Sequence, residues 1–254
     1  MLSVEPIKAY TDNYIWLVST NEGSIVVDPG ESKEILNLID SNKIDLKGVL
    51  ITHHHYDHTN GLLDLTNKMN LEVYGPKKIN GINNIVNESD KFSIIGIDFE
   101  VIEIPGHTLD HLAFYSSNNN EDPVLFCGDT LFAGGCGRVF EGTFEQMFKS
   151  LKKISNFPKE TKIFCGHEYT LSNLEFALEV DENNKQLADE YINVKKLISS
   201  DIPSLPTNLN KELKLNPFLR CNEINIKNKV IDKFDIIDDE LEIFTALRKW
   251  KDNF

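Results

Sequence analysis

Along the first two thirds of the chain, short apolar runs alternate with turn residues. Tyr14-Ile15-Trp16-Leu17-Val18, Ser24-Ile25-Val26-Val27-Asp28, Val49-Leu50-Ile51, Leu71-Glu72-Val73-Tyr74, Phe99-Glu100-Val101-Ile102-Glu103-Ile104, Leu112-Ala113-Phe114-Tyr115 and Val124-Leu125-Phe126-Cys127 are rich in β-branched and aromatic residues, and each predicts a strand. Between them, Ile35, Leu36, Leu38 and Ile39, then Phe144, Met147, Phe148 and Leu151, recur at helical spacing. Strands interleaved with helices imply a layered α/β domain.

Beyond Cys165-Gly166-His167 the strand pattern stops. Leu171, Leu174, Ala177 and Leu178 repeat at helical spacing, as do Leu187, Tyr191, Val194, Leu197 and Ile198, so the tail is expected to be mostly helical. Pro203, Pro206 and Pro217 mark a linking stretch, and an apolar and basic segment runs from 241 to 254. The expected division is a larger part, residues 1–167, and a smaller one, residues 168–254.

With 254 residues, 41% hydrophobic and 26% charged, the chain is long enough to bury a substantial core. No apolar run approaches the roughly 20 residues of a membrane helix, and the first residues lack the pattern of a secretory signal, so a cytoplasmic protein without a membrane partner is expected. A net charge of −14 argues against nucleic acid as a partner. It also means that an anionic ligand needs a local basic patch, which Arg248, Lys249 and Lys251 provide. The four cysteines, Cys127, Cys136, Cys165 and Cys221, have no close paired spacing, so disulfides are not expected. Cys127 and Cys165 each precede a candidate ligand by two residues, but burial as small apolar groups is the expectation for both.

Behind Val49-Leu50-Ile51 comes Thr52-His53-His54-His55-Tyr56-Asp57-His58. On an extended backbone His53 and His55 leave the same face, close enough to share an ion, while Asp57 and His58 follow where the chain turns. Imidazole with carboxylate suits zinc, and less exclusively iron or manganese. The chain has only seven histidines. His107 and His167 each follow a glycine at the end of an apolar run, and Gly128-Asp129 repeats that pattern. Glycine there lets the backbone bend so that the next side chain projects from the sheet edge. Any one of these positions alone reads as structural; with the cluster they predict a metal site.

These residues resemble the metallo-β-lactamase superfamily, with its His-x-His-x-Asp-His run and a distant His, Asp and His. Thr52 to Gly61, Gly128-Asp129-Thr130-Leu131-Phe132-Ala133-Gly134-Gly135-Cys136-Gly137-Arg138, Glu141-Gly142-Thr143, the run from Cys165 to Leu174, Asn216-Pro217-Phe218-Leu219-Arg220 and the run from Arg248 to Phe254 look like the glyoxalase II (hydroxyacylglutathione hydrolase) family within it. The resemblance implies an αββα sandwich carrying a dinuclear metal centre, with a smaller helical substrate-binding domain. It implies His53, His55 and His107 as ligands of one divalent ion, Asp57, His58 and His167 of a second, and Asp129 as the bridge. Zinc is expected first, with iron or manganese as alternatives. Asp57 and Asp129 are the implied catalytic side chains, working with water activated by the ions. Glutathione contacts fall on Arg138, Tyr169, Arg248 and Lys251. The implied reaction is hydrolysis of S-D-lactoylglutathione and related 2-hydroxyacyl thioesters to D-lactate and glutathione, the second step of methylglyoxal detoxification, by a monomer.

Two positions depart from the family pattern. Phe140 stands where a tyrosine hydroxyl is usual, a loss of one hydrogen bond worth about 0.5–1.5 kcal/mol. Thr59-Asn60 replaces small residues. His54 and His111 have no assigned role. Asp28, in Val27-Asp28-Pro29-Gly30, either orients a ligand histidine or opens a turn. The rival readings are a mononuclear iron glutathione persulfide dioxygenase of the same fold, which typically lacks the long basic-ended tail, and a non-catalytic metal-binding module, which would have lost ligands.

Overall fold

The computed structural model describes residues 2–117 and 122–254. Two compact units divide the chain, and each is built from several segments. The first comprises Met1–Glu103, Asp110–Gly128 and Phe164–His167; the second comprises Ile104–Leu109, Asp129–Ile163 and Glu168–Phe254.

The first unit holds strands β1 (Ser3–Ala9), β2 (Asn13–Thr20), β3 (Gly23–Val27), β4 (Leu46–Leu50), β5 (Glu72–Gly75) and β6 (Asn84–Ile85), hydrogen-bonded in that order as one mixed sheet. β1, β2 and β3 are antiparallel neighbours, whereas β3 to β6 run parallel. Parallel neighbours need crossovers, which α1 (Lys33–Asp40) and then α2 (Tyr56–Thr59) with α3 (Leu62–Lys68) supply. The crossover helices explain the burial of β3 and β4, where Ile25, Val26, Val27, Val49 and Leu50 are all buried. Ile35 of α1 and Leu62 and Leu65 of α3 pack in one cluster with Leu17, Val26, Val49, Ile51 and Val73. Edge strand β1 tolerates Pro6 and alternates exposed with buried positions.

A second sheet in this unit is antiparallel: β7 (Lys91–Ile94), β8 (Ile97–Glu103), β9 (Leu112–Ser116) and β10 (Val124–Gly128). The end of β13 (Lys162–Cys165) lies beside β10. Tyr74 stacks on Phe92 at 3.8 Å between ring centres, and Trp16 meets Phe164 edge-on at 4.9 Å, so aromatic rings join the two sheets. Strands follow every apolar run expected from the sequence. β1 and β7, whose polar residues and Pro6 disguise them, were not marked by the pattern.

The second unit contains β11 (Leu131–Phe132) and β12 (Gly135–Cys136), a two-stranded hairpin, and helices α4 (Phe144–Ser155), α5 (Thr170–Val180), α6 (Lys185–Ser199), α7 (Leu209–Leu215), α8 (Ile224–Phe234) and α9 (Glu240–Asp252). Thr143 and Gln146 cap α4 reciprocally, each side chain taking the other's backbone N–H. The stripes expected at 171–178 and 187–198 face one another: Leu174, Ala177, Leu187 and Val194 form a cluster with Leu215. Phe176, Phe218, Phe244 and Trp250 make a chain of ring contacts. One expectation fails here. Strand structure does not stop at His167, because Thr207–Asn208 forms β14, antiparallel to Lys162 and Ile163. A two-residue strand leaves no periodic pattern to read.

Candidate metal centre

In the first unit the chain leaves β4 at the carboxyl end of a parallel strand, where open α/β sheets commonly carry their ligands. Thr52 to His58 follow at once. The rings of His53 and His55 are 4.7 Å apart and those of His53 and His58 4.2 Å. His167 enters from the end of β13, its ring 5.3 Å from His58. Asp57 Oδ2 lies 3.6 Å from His58 Nε2 and 3.3 Å from His167 Nε2. Donor atoms of Asp57, His58 and His167 lie within 4.8 Å of one another, as do those of Asp28, His53 and His58.

Hydrogen bonds set which nitrogen of each ring points inward. Asp28 accepts from Thr52 N at 2.8 Å and from the Thr52 hydroxyl at 2.7 Å, and its Oδ2 lies 3.0 Å from His58 Nδ1. A carboxylate only accepts, so His58 carries its hydrogen on Nδ1. The Thr52 hydroxyl has given its hydrogen to Asp28, so at 3.0 Å it accepts from His53 Nδ1. Asp12 Oδ1 fixes His167 in the same way at 2.8 Å. All three rings therefore present an Nε2 lone pair, the state a metal ligand requires. Of the two readings of Asp28, orientation of a histidine ring is the one this geometry favours.

Two orienting residues were missed in the sequence, Asp12 and Asn13. Asn13 donates its amide to Asp57 Oδ2 at 2.8 Å. Both lie in an ordinary-looking turn between apolar runs, and no spacing marked them. The unassigned histidines separate. His111 is buried, stacks on His53 at 4.5 Å and has Nδ1 3.1 Å from Leu112 O; His54 is exposed and pairs with Asp110 at 2.9 Å.

The second unit holds His107 and Asp129, both buried, with His107 Nε2 3.3 Å from Asp129 Oδ2. His107 Nδ1 donates to Arg138 O at 2.8 Å, so it too presents Nε2. Phe140 is exposed and meets the His107 ring edge-on at 5.2 Å. The glycine argument holds at Gly106 and Gly128, with φ of +153° and +45°. Gly166 has no left-handed φ; it joins the sheet ladder, donating to Gly128 O and accepting from Tyr14 N.

The β11–β12 hairpin is gripped by side chains along its whole backbone. Asn216 donates to Phe132 O and Gly135 O, Asn173 donates to Ala133 O, and Glu212 accepts from Gly134 N at 2.8 Å. Glu212 is wholly buried, and burial raises its carboxyl above the usual range. Arg248, also buried, donates to Cys136 O at 2.6 Å. The motif residues Asn173 and Asn216 thus hold a hairpin rather than a ligand.

Of the expected glutathione contacts, Arg138 is exposed, with Nε 3.5 Å from Asp252 Oδ1, and Arg248 reaches the same oxygen at 3.0 Å. Lys251 donates to Ser172 O at 2.8 Å; burial, then Arg248, lowers its pKa to about 8. Tyr169 sits at the start of α5 against Phe132. Arg138, Arg248 and Lys251 are grouped around the end of α9. All four cysteines are buried thiols. No helix among the described residues is long and apolar enough to cross a membrane.

Comparison with known proteins gives two family matches that meet at 167/168. Residues 168–254 match the hydroxyacylglutathione hydrolase C-terminus, and residues 11–84 and 74–167 match the metallo-beta-lactamase superfamily. A hydroxyacylglutathione hydrolase of Photobacterium profundum is 46% identical over 259 residues, covering 100% of each chain. Another, of Psychromonas ingrahamii, is 43% identical over 261 residues with the same coverage. The crystal structure of ETHE1 from Myxococcus xanthus has a TM-score of 0.65 at 20% identity, covering 99% of this chain and 98% of that one, a likeness of fold alone.

Proposed function

The chain belongs to the hydroxyacylglutathione hydrolase family of the metallo-β-lactamase superfamily, and from that premise we propose that it hydrolyses 2-hydroxyacyl glutathione thioesters, S-D-lactoylglutathione first among them, to a hydroxy acid and glutathione. The observation that carries the reading is the match of residues 168–254 to the hydroxyacylglutathione hydrolase C-terminus. Metal-ligand residues are common to the superfamily and do not single out a thioester.

We read His53, His55 and His107 as ligands of one ion, Asp57, His58 and His167 of a second, and Asp129 as shared. Four histidines with hydrogen on Nδ1, three of them (His58, His107 and His167) with a carboxylate beside Nε2, support this donor set, and its chemistry suits zinc. Bound divalent ions would polarise the thioester carbonyl and bring the pKa of water towards about 7. Asp57 and Asp129 orient the attacking water. No side chain has to protonate the leaving group, because a thiol has an ordinary pKa of about 8.5 and leaves as thiolate. Arg138, Arg248 and Lys251 offset the acidic bulk and receive the carboxylates of the tripeptide, with Tyr169 beside them. A monomer acting in the cytoplasm, on the second step of methylglyoxal detoxification, completes the proposal, as does the division into residues 1–167 and 168–254 at the join of the two family matches.

Thioester absorbance followed on purified zinc-loaded protein with S-D-lactoylglutathione tests it, with oxygen uptake on glutathione persulfide as the control. Rapid loss of absorbance without oxygen uptake is expected, and Asp129→Ala should lose ions and turnover together. Oxygen uptake without thioester loss would sink the hydrolase reading.

A further inference from the structure

Asp12, in the turn after β1, and Asn13, the first residue of β2, bring their side chains onto His167. Asp12 takes the hydrogen of Nδ1 at 2.8 Å, and Asn13 Nδ2 lies 3.4 Å from Nε2. The same Asn13 amide donates to Asp57 Oδ2 at 2.8 Å and approaches Asp57 O at 3.4 Å. Asn13 is buried, with 6% of its surface exposed, and its main chain is held on both sides, by Ala9 in the hairpin and by a bridge to His167. Its side chain therefore starts from a fixed point.

Asp57 is placed differently. It lies in the first turn of the four-residue helix α2, with its side chain 38% exposed. A carboxylate has two equivalent oxygens, and Asn13 makes them inequivalent. The oxygen it selects, Oδ2, is the one that faces both His58 Nε2 and His167 Nε2. A neutral donor achieves this without adding charge. Aspartate at position 13 would set two carboxylates side by side, and leucine, of similar size, would offer no hydrogen.

We infer that Asn13 is a positioning residue for the ion held by Asp57, His58 and His167: its amide turns one oxygen of Asp57 towards that ion and so sets how firmly the ion is retained. The inference rests on the ligand reading proposed above. Residues that orient ligands in this way typically change metal affinity by about 10–100-fold when removed.

The test compares the zinc-loaded full chain with Asn13→Leu and Asn13→Gln, counting ions per chain and following their release to a chromogenic chelator. Wild type should hold two ions. In Asn13→Leu one of the two should leave at least about tenfold faster while the other keeps its rate. Asn13→Gln, which returns the amide on a longer arm, should recover part of the loss. Two ions released at wild-type rates from Asn13→Leu, or both released equally faster, would overturn the inference. A wild type holding fewer than two ions would count against the ligand reading instead, before any variant is made. Should Asn13→Leu fail to fold, Asn13→Gln and Asn13→Ser carry the same comparison. Failure of all three to fold would make Asn13 a structural residue and reject the role given to it here.

Discussion

The two units aim their buried histidines by different means. In the first, His58 and His167 give Nδ1 to carboxylates, those of Asp28 and Asp12. In the second, His107 gives Nδ1 to a main-chain carbonyl, that of Arg138. A carboxylate is a choice of residue type at one position, so it can be removed by one substitution. Every residue offers a carbonyl, and where that carbonyl lies depends on the path of the hairpin before it. That path is held by Asn173, Glu212, Asn216 and Arg248, whose side chains grip the backbone of 132–136. Orientation is concentrated in the first unit and distributed in the second, so single substitutions should act more sharply in the first.

The sharpest test is Asp28→Ala. Three groups lose an acceptor at once: Thr52 N, the Thr52 hydroxyl and His58 Nδ1. Asp28 is buried and holds a left-handed φ of +54°, which aspartate and asparagine tolerate better than alanine. Leaving those donors unsatisfied should cost about 4 kcal/mol in denaturant unfolding of the metal-free protein. Asp28→Asn, which keeps an acceptor and the backbone preference, should lose about half of that. A loss below about 1 kcal/mol for Asp28→Ala would mean that orientation is shared in this unit as well.

Glu212 is the matching test in the second unit. It accepts from Gly134 N, Thr207 Oγ1 and Asn216 Nδ2, and Glu212→Ala should cost about 3 kcal/mol, roughly one per bond. Glutamine keeps an acceptor for Gly134 and Asn216 and can donate to Thr207, so Glu212→Gln should stay within about 1 kcal/mol of wild type. The pH dependence has a definite sign. Burial raises the folded-state pKa of Glu212 above the ordinary 4.5, so its contribution is full below the unfolded value and is lost as pH rises through the folded one. Glutamine has no such loss, and Glu212→Gln should gain on wild type as pH climbs from that range. A variant that falls further behind wild type as pH rises would reverse the assignment.

The same contrast decides what was legible in the sequence. His53, His55, Asp57 and His58 stand within six positions, and the strand before them is an apolar run, so both element and chemistry could be read there. His107, Asp129 and His167 were found by their preceding glycines, although only Gly106 and Gly128 use the left-handed backbone that glycine permits. Asp12 and Asn13 were illegible because a polar turn between two strands looks the same whether or not its side chains reach a histidine. The motif residues Asn173 and Asn216 were visible as family signature, but their work of binding hairpin carbonyls was not. Arg248 read as a basic residue for a ligand, and the structure adds that it is buried and bonded to Cys136 O. Sequence patterns report periodic burial and local clusters; they do not report which distant carbonyl a side chain will meet.

The smallest expected effect concerns the cation group of the second unit. Lys251 has a pKa lowered to about 8, by burial first and by the neighbouring Arg248 next, so its charge is present below that pH and lost above it. If Lys251 receives a carboxylate of the tripeptide as proposed, KM for the thioester should rise by about fivefold between pH 7 and 9, on the order of 1 kcal/mol for one partly solvated ion pair. A residue that only binds the substrate changes KM and not kcat, so the inflection should appear in kcat/KM and be absent from kcat. Lys251→Arg stays charged throughout and should abolish the inflection while keeping KM low. Lys251→Ala should abolish it at a uniformly high KM. An inflection that survives in Lys251→Ala belongs to another group, and the distributed cation site would then owe its affinity to Arg138 and Arg248 alone.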